Sequence, residues 1–133
     1  MAIFAVRSGV QWARSSMPAN TLAALNGLAL DCAEGRVLGD DVDIEVAGWD
    51  ETNSQIRPET IILRIRAAGG QGLVRLVGVQ TNQYPGAVDI DIARPLRAAD
   101  IPVAISGFHV SGLPDMSPKL RAAMDMGITL FAD

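Results

Sequence analysis

The sequence predicts an α/β fold: a doubly wound parallel sheet of five strands. Three observations predict this class. Short apolar runs recur at 2–6, 73–80, 101–106 and 128–133. Between them the apolar residues return every three or four positions, the period of a helix that buries one face. The two patterns alternate along all 133 residues, which implies β-α-β crossovers of right-handed sense and hence parallel strands.

Each element has its own justification. AIFAV, 2–6, ended by Arg7-Ser8-Gly9, reads as a buried first strand, followed by a polar loop, RSGVQWARSS, 7–16. Ser16 before Met17 and Pro18 opens a first helix, because proline fits a first turn, where N–H groups lack partners anyway. Leu22, Leu25, Leu28 and Cys32 follow at helical spacing, and Gly35 ends the helix. In DVDIEVAGW, 41–49, Val42, Ile44 and Val46 alternate with Asp43 and Glu45. One apolar and one charged face is the mark of a half-exposed strand, so this second strand belongs at an edge. A second helix starts at Pro58, with Ile61, Ile62 and Ile65 facing the core and Gly69 as its stop. LVRLVGVQ, 73–80, is almost continuously apolar, as a central parallel strand covered on both faces has to be. Val88, Ile92, Leu96 and Ala99 mark a third helix, with Pro95 late in it as a kink or early end. IPVAIS, 101–106, is a fourth strand. The loop GFHVSGLPDM then leads into SPKLRAAMDMG, a short helix with Ser117 as N-cap, Pro118 at N1 and Gly127 after its end. ITLFAD, 128–133, is the fifth strand, and the helix that normally follows a fifth strand is missing.

An edge second strand suits the flavodoxin-like, Rossmann-like order 2-1-3-4-5 within one domain, 1–133. In such sheets ligands bind beyond the carboxyl ends of the strands, at the point where strand order reverses. Those ends are Arg7-Ser8-Gly9, Asp50-Glu51, Gln80 to Gln83, Ser106 to His109 and Ala132-Asp133, and a ligand should meet all but the second. A partner, a second subunit or a further stretch of chain is expected to cover the fifth strand.

Composition narrows the function. The chain is 49% hydrophobic and 20% charged, enough for an ordinary core. A net charge of −4 with no basic stripe argues against nucleic acid or an anionic membrane as partner. No apolar run reaches the roughly 18 residues of a membrane span. MAIFAVRSG has no basic residue ahead of its short apolar stretch, so it does not read as a secretory signal, and a cytoplasmic location is expected. Cys32 is the single cysteine, which excludes an intrachain disulfide and a cysteine-only metal cluster.

Familiar motifs are mostly absent. GGQG, 69–72, follows a helix and precedes a strand, the reverse of a dinucleotide fingerprint. There is no Walker A sequence and no G-x-S-x-G elbow. Gln80 stands where a phosphoacceptor domain needs a carboxylate, and the hydroxyls of Ser8, Ser15 and Ser16 are scattered for a flavin phosphate loop. His109, the only histidine, either touches a ligand or orders its turn. Thr81-Asn82-Gln83 either holds a ligand or caps the next helix. Trp12 and Trp49 read as packing residues, and Asp50 and Glu51 as solvated or capping carboxylates.

GLVRLVGVQTNQYPGAVDIDIARPLRAADIPVAISGFHVSG, 72–112, resembles the N-terminal cobalamin-binding-type domain of cobalamin-dependent radical S-adenosylmethionine proteins. There a strand ending in a small polar cluster is followed by a helix, then by a strand running into a Gly-Gly-x-His-type turn. The matching positions here are Gln80, Thr81, Asn82 and Gln83, then Ser106, Gly107, Phe108 and His109. SMPANTLAAL, VAGWDETN and GITLFAD resemble the family's first helix start, second strand end and last strand, so the likeness spans most of the chain. Ser106 departs from the family's usual first glycine.

The resemblance implies cobalamin as cofactor, touched by Ser8, Gln80, Thr81, Asn82, Gln83, Ser106, Gly107, Phe108 and His109, with no catalytic and no metal-ligating residue. The Asp-x-His-x-x-Gly motif that ligates cobalt in the mutases and methionine synthase does not occur, so no histidine should lie below the cobalt. The iron–sulfur cluster and S-adenosylmethionine belong to a C-x3-C-x2-C domain that this chain lacks, so it should not be catalytic alone. The alternatives are a flavodoxin-like interaction or oligomerisation domain without cofactor, and a small hydrolase or transferase using His109 as base.

Overall fold

The computed structural model describes residues 2–7, 20–50, 55–77, 92–106 and 124–131. They form β1 (Ala2–Arg7), α1 (Asn20–Glu34), β2 (Glu45–Asp50), α2 (Pro58–Ala67), β3 (Gly72–Val77), α3 (Ala93–Ala98), β4 (Val103–Ser106) and β5 (Ile128–Phe131). The fold is mixed α/β around a parallel sheet. The strands lie in the order β2-β1-β3-β4-β5, and every pairing is parallel. Arg7 lies opposite both Asp50 and Val77, and Ser106 opposite Phe131, so the strands end together along one edge.

Alternation along the strands sorts the residues onto two faces. Val74 and Leu76 of β3, Val103 and Ile105 of β4 and Ile128 of β5 share one face. Ile61 and Ile65 of α2, Ala93 and Leu96 of α3, and Ile92 and Ile101 beside α3 close over it. All eleven are at most 5% exposed, so this layer is close-packed. Leu73, Arg75, Val77, Ala104 and Ser106 point to the other face, the one on which α1 lies against β1 and β2.

α2 forms as its sequence implies. Pro58 occupies the first helical position, Glu59 is in the first turn, Arg64 and Arg66 are in the last, and Ile61 and Ile65 are buried. Gly69 and Gly70 then take φ of +102° and +81°, and the Gly70 N–H donates to the Ile65 carbonyl at 2.9 Å. Gly127 (φ +76°) turns the chain into β5, its N–H donating to the Met124 carbonyl at 2.8 Å.

Other elements depart from expectation. β2 begins at Glu45, so Val42 and Ile44 precede the strand. A turn around Gly39 (φ +110°) occupies that stretch, where Val42 N–H donates to the Gly39 carbonyl and Arg36 pairs with Asp43 at 3.5 Å. α1 ends before Gly35, but the left-handed residue is Arg36 (φ 47°). Leu22, Leu25 and Cys32 are half-buried on α1, whereas Leu28 is 60% exposed; Ala29, one position on, takes the inward place. Pro95 is the third residue of α3, not a late one, because the helix begins only at Ala93. In a first turn its absent N–H leaves no helical bond unmade. β4 begins at Val103, since Pro102 cannot donate to a ladder; its carbonyl accepts from Val74 N–H at 3.0 Å. The expected strand residues 78–80 and helix residues 16–19, 82–91 and 117–123 lie outside the described residues.

Candidate functional site

The carboxyl edge of the sheet ends in Arg7, Asp50, Val77, Ser106 and Phe131. From β1 the chain crosses to β2 on one side, while β3 pairs with β1 on the other. That reversal of strand order makes the β1/β3 boundary the switch point of the sheet, the place beyond which parallel sheets commonly bind ligands.

Ser106 is the one expected contact residue among those described. Its side chain is fully buried, and Arg75 Nη2 donates to its Oγ at 3.4 Å. Arg75 pairs in register with Ala104, so it reaches two residues along the neighbouring strand toward the carboxyl edge. The geometry makes Ser106 an acceptor for a cation beneath the edge. Ser8, Gln80, Thr81, Asn82, Gln83, Gly107, Phe108 and His109 lie outside the described residues, as do Trp12 and Glu51. Asp50 is half-buried at the end of β2. Trp49 packs against the rim of the core, with the Arg64 guanidinium 5.7 Å from its ring centre. Arg64 also meets Glu45 at 2.6 Å, which ties α2 to the edge strand.

Described residues line at least two hollows. One, about 60 Å³, lies between Trp49 and the start of α2, against Gln55, Ile56, Arg57, Thr60 and Ile61. It does not suit an anion. Pro58 has no N–H, Thr60 and Ile61 already donate to the Arg57 carbonyl, and Glu59 puts a negative charge in the first turn. The other, about 170 Å³, lies under α1, against Leu25, Ala29 and Cys32 of the helix and Val46, Leu73 and Arg75 of the sheet.

Neither this hollow nor the Arg75–Ser106 contact was foreseen from sequence. The available signal was a cation in the middle of LVRLV, an otherwise apolar strand. A buried or half-buried guanidinium needs partners, and that need marks the strand as more than filler.

Among the described residues no group of three or more His, Cys, Asp or Glu side chains is placed to hold a metal ion, and no helix is long and apolar enough to cross a membrane. No protein-family model matches the chain, and no curated protein or solved structure matches it either.

Proposed function

We propose that the chain is a small-molecule-binding domain of the flavodoxin-like type, and that its ligand is cobalamin, met at the carboxyl edge of the sheet. The observation that carries the first half is the reversal of strand order at β1/β3, where parallel sheets present backbone groups and short loops to ligands. The resemblance of 72–112 to cobalamin-binding-type domains supplies the second half.

Ser106 fits this function as a support: its buried hydroxyl, held by Arg75, stiffens the end of β4. Direct contact then falls to Ser8, Gln80, Thr81, Asn82 and Gln83 and to Gly107, Phe108 and His109. Their hydroxyl, amide and backbone groups match the polar atoms of a nucleotide tail. Bound cobalamin would supply the organometallic chemistry, and a separate radical domain the iron–sulfur cluster and S-adenosylmethionine. The test mixes the purified chain with excess hydroxocobalamin and separates by size. Cobalamin absorbance co-eluting with protein is expected; a protein peak free of it overturns the assignment.

One observation favours a second function, an interaction domain without cofactor. Leu28, Leu30, Val37 and Leu38 of α1 and its following turn are 45–61% exposed. Such apolar surface is suited to self-association. A dimer in sedimentation equilibrium, together with no cobalamin uptake, would select it.

A further inference from the structure

The acidity of the chain is gathered in one place. Residues 31–43 hold five carboxylates and one arginine, a net charge of −4, which is also the net charge of all 133 residues. The five, Asp31, Glu34, Asp40, Asp41 and Asp43, are exposed. Arg36 answers one of them, meeting Asp43 at 3.5 Å, and donates besides to the Asp40 carbonyl. Asp31 and Glu34 stand in the last turn of α1, which carries no basic residue. The partial negative charge of a helix C-terminus disfavours carboxylates there. Apolar side chains are exposed at the same end. Leu30, one turn before Glu34, is 45% exposed, and Val37 and Leu38 in the following turn are 61% and 48% exposed. That turn is held by its own backbone: Val37 N–H donates to the Cys32 carbonyl at 3.2 Å and Gly39 N–H to the Arg36 carbonyl at 2.9 Å. Neither feature helps the isolated chain, since the charges oppose the helix dipole and the apolar groups stay in water.

We infer that this end of α1 docks a basic amphipathic helix of a partner protein. The partner's apolar side chains cover Leu30, Val37 and Leu38, and its lysines and arginines meet Asp31, Glu34, Asp40 and Asp41. An apolar centre inside a polar rim is the usual plan of a protein interface. A helix with leucines and lysines three and four positions apart offers both chemistries side by side. The inference rests on the interaction reading of the apolar surface and gives that surface another partner. Two copies of this face would set carboxylates against carboxylates, and like charges across an interface oppose association. The carboxylates do not form a cation cage either: among the described residues no group of three is placed to hold a metal ion.

The probe is a dye-labelled peptide of leucine and lysine at helical spacing, titrated with the full chain and followed by fluorescence anisotropy. A scrambled peptide of the same composition and a peptide with glutamate in place of lysine serve as controls. The probe should bind at low salt about tenfold more tightly than either control. Salt at about 1 M, where the Debye length falls to about 3 Å, should weaken it about tenfold. Two double variants, Val37→Ser with Leu38→Ser and Asp40→Asn with Asp41→Asn, change exposed side chains and should keep the native circular dichroism. Each should weaken binding about tenfold, and the second should also flatten the salt dependence. No binding by the unaltered chain overturns the inference. So does equal binding of either control peptide, or undiminished binding by a folded double variant. Sedimentation equilibrium of the chain alone separates this inference from the reading it rests on. A dimer that the Val37→Ser, Leu38→Ser variant dissociates, with no peptide bound, overturns the inference and leaves the interaction reading standing. A monomer that binds no peptide overturns both.

Discussion

The two faces of the sheet solve the same packing problem with different success. On the α2/α3 side, the ten residues of α2 bury three and the six of α3 bury two. On the α1 side, fifteen helical residues bury none. The difference lies in what each helix turns inward. α2 presents Ile61 and Ile65, whose branched side chains fill the space down to Val74 and Leu76. α1 presents Ala29 and Cys32 at the corresponding depth, and these leave a gap. Helix length sets how much sheet is covered; side-chain volume decides whether the cover is closed. The packed face should therefore carry most of the stability, and the α1 face should tolerate change.

That contrast can be broken most forcefully at Ile65. Ile65→Ala removes a 1%-exposed side chain from the centre of the packed face. A loss of about 4 kcal/mol is expected in urea unfolding, within the range for core truncations whose surroundings relax little. Gly72→Ala attacks the same contact from the sheet side. A Cβ there would stand 2.8–2.9 Å from three carbons of the Ile65 side chain, so Ile65 or α2 must shift to admit it. Overpacking of this kind should cost about 2 kcal/mol by the same measurement.

Leu25→Ala gives the matched test on the loose face. The removed side chain is half-buried beside an existing hollow, so the loss should be about 1 kcal/mol in urea unfolding. A loss as large as that at Ile65 would show that α1 closes on the sheet as tightly as α2 does. The smallest effect is expected at Arg64→Ala, read as a shift in melting temperature. It removes the ion pair with Glu45 and the contact over Trp49, but both charged side chains are close to half exposed. Solvent screening holds the loss to about 0.5 kcal/mol.

How much was legible in sequence follows the same division. α2 was plain, because Pro58, Ile61, Ile65 and Gly69 each carry a local signal that tertiary packing reinforces. The apolar cores of β3 and β4 were plain for the same reason. The β2 boundary was misread: the alternation of Val42, Ile44 and Val46 continues through a turn that Gly39 and Arg36 impose on the backbone. Pro95 was misplaced within α3, since the apolar period extends past the point where the helix starts. For the candidate site, a single expected contact residue, Ser106, lies among the described residues, and its burial was not visible in AISG.

By itself the sequence determined the α/β class, the alternation of strands and helices, and the inward residues of α2, because these depend on periodicity and on local backbone preference. Tertiary structure alone decided the register of the strands, that a hollow remains under α1, and that Arg75 meets a hydroxyl 31 residues away. Register brings distant residues together, and an exact register has no local signature in the chain.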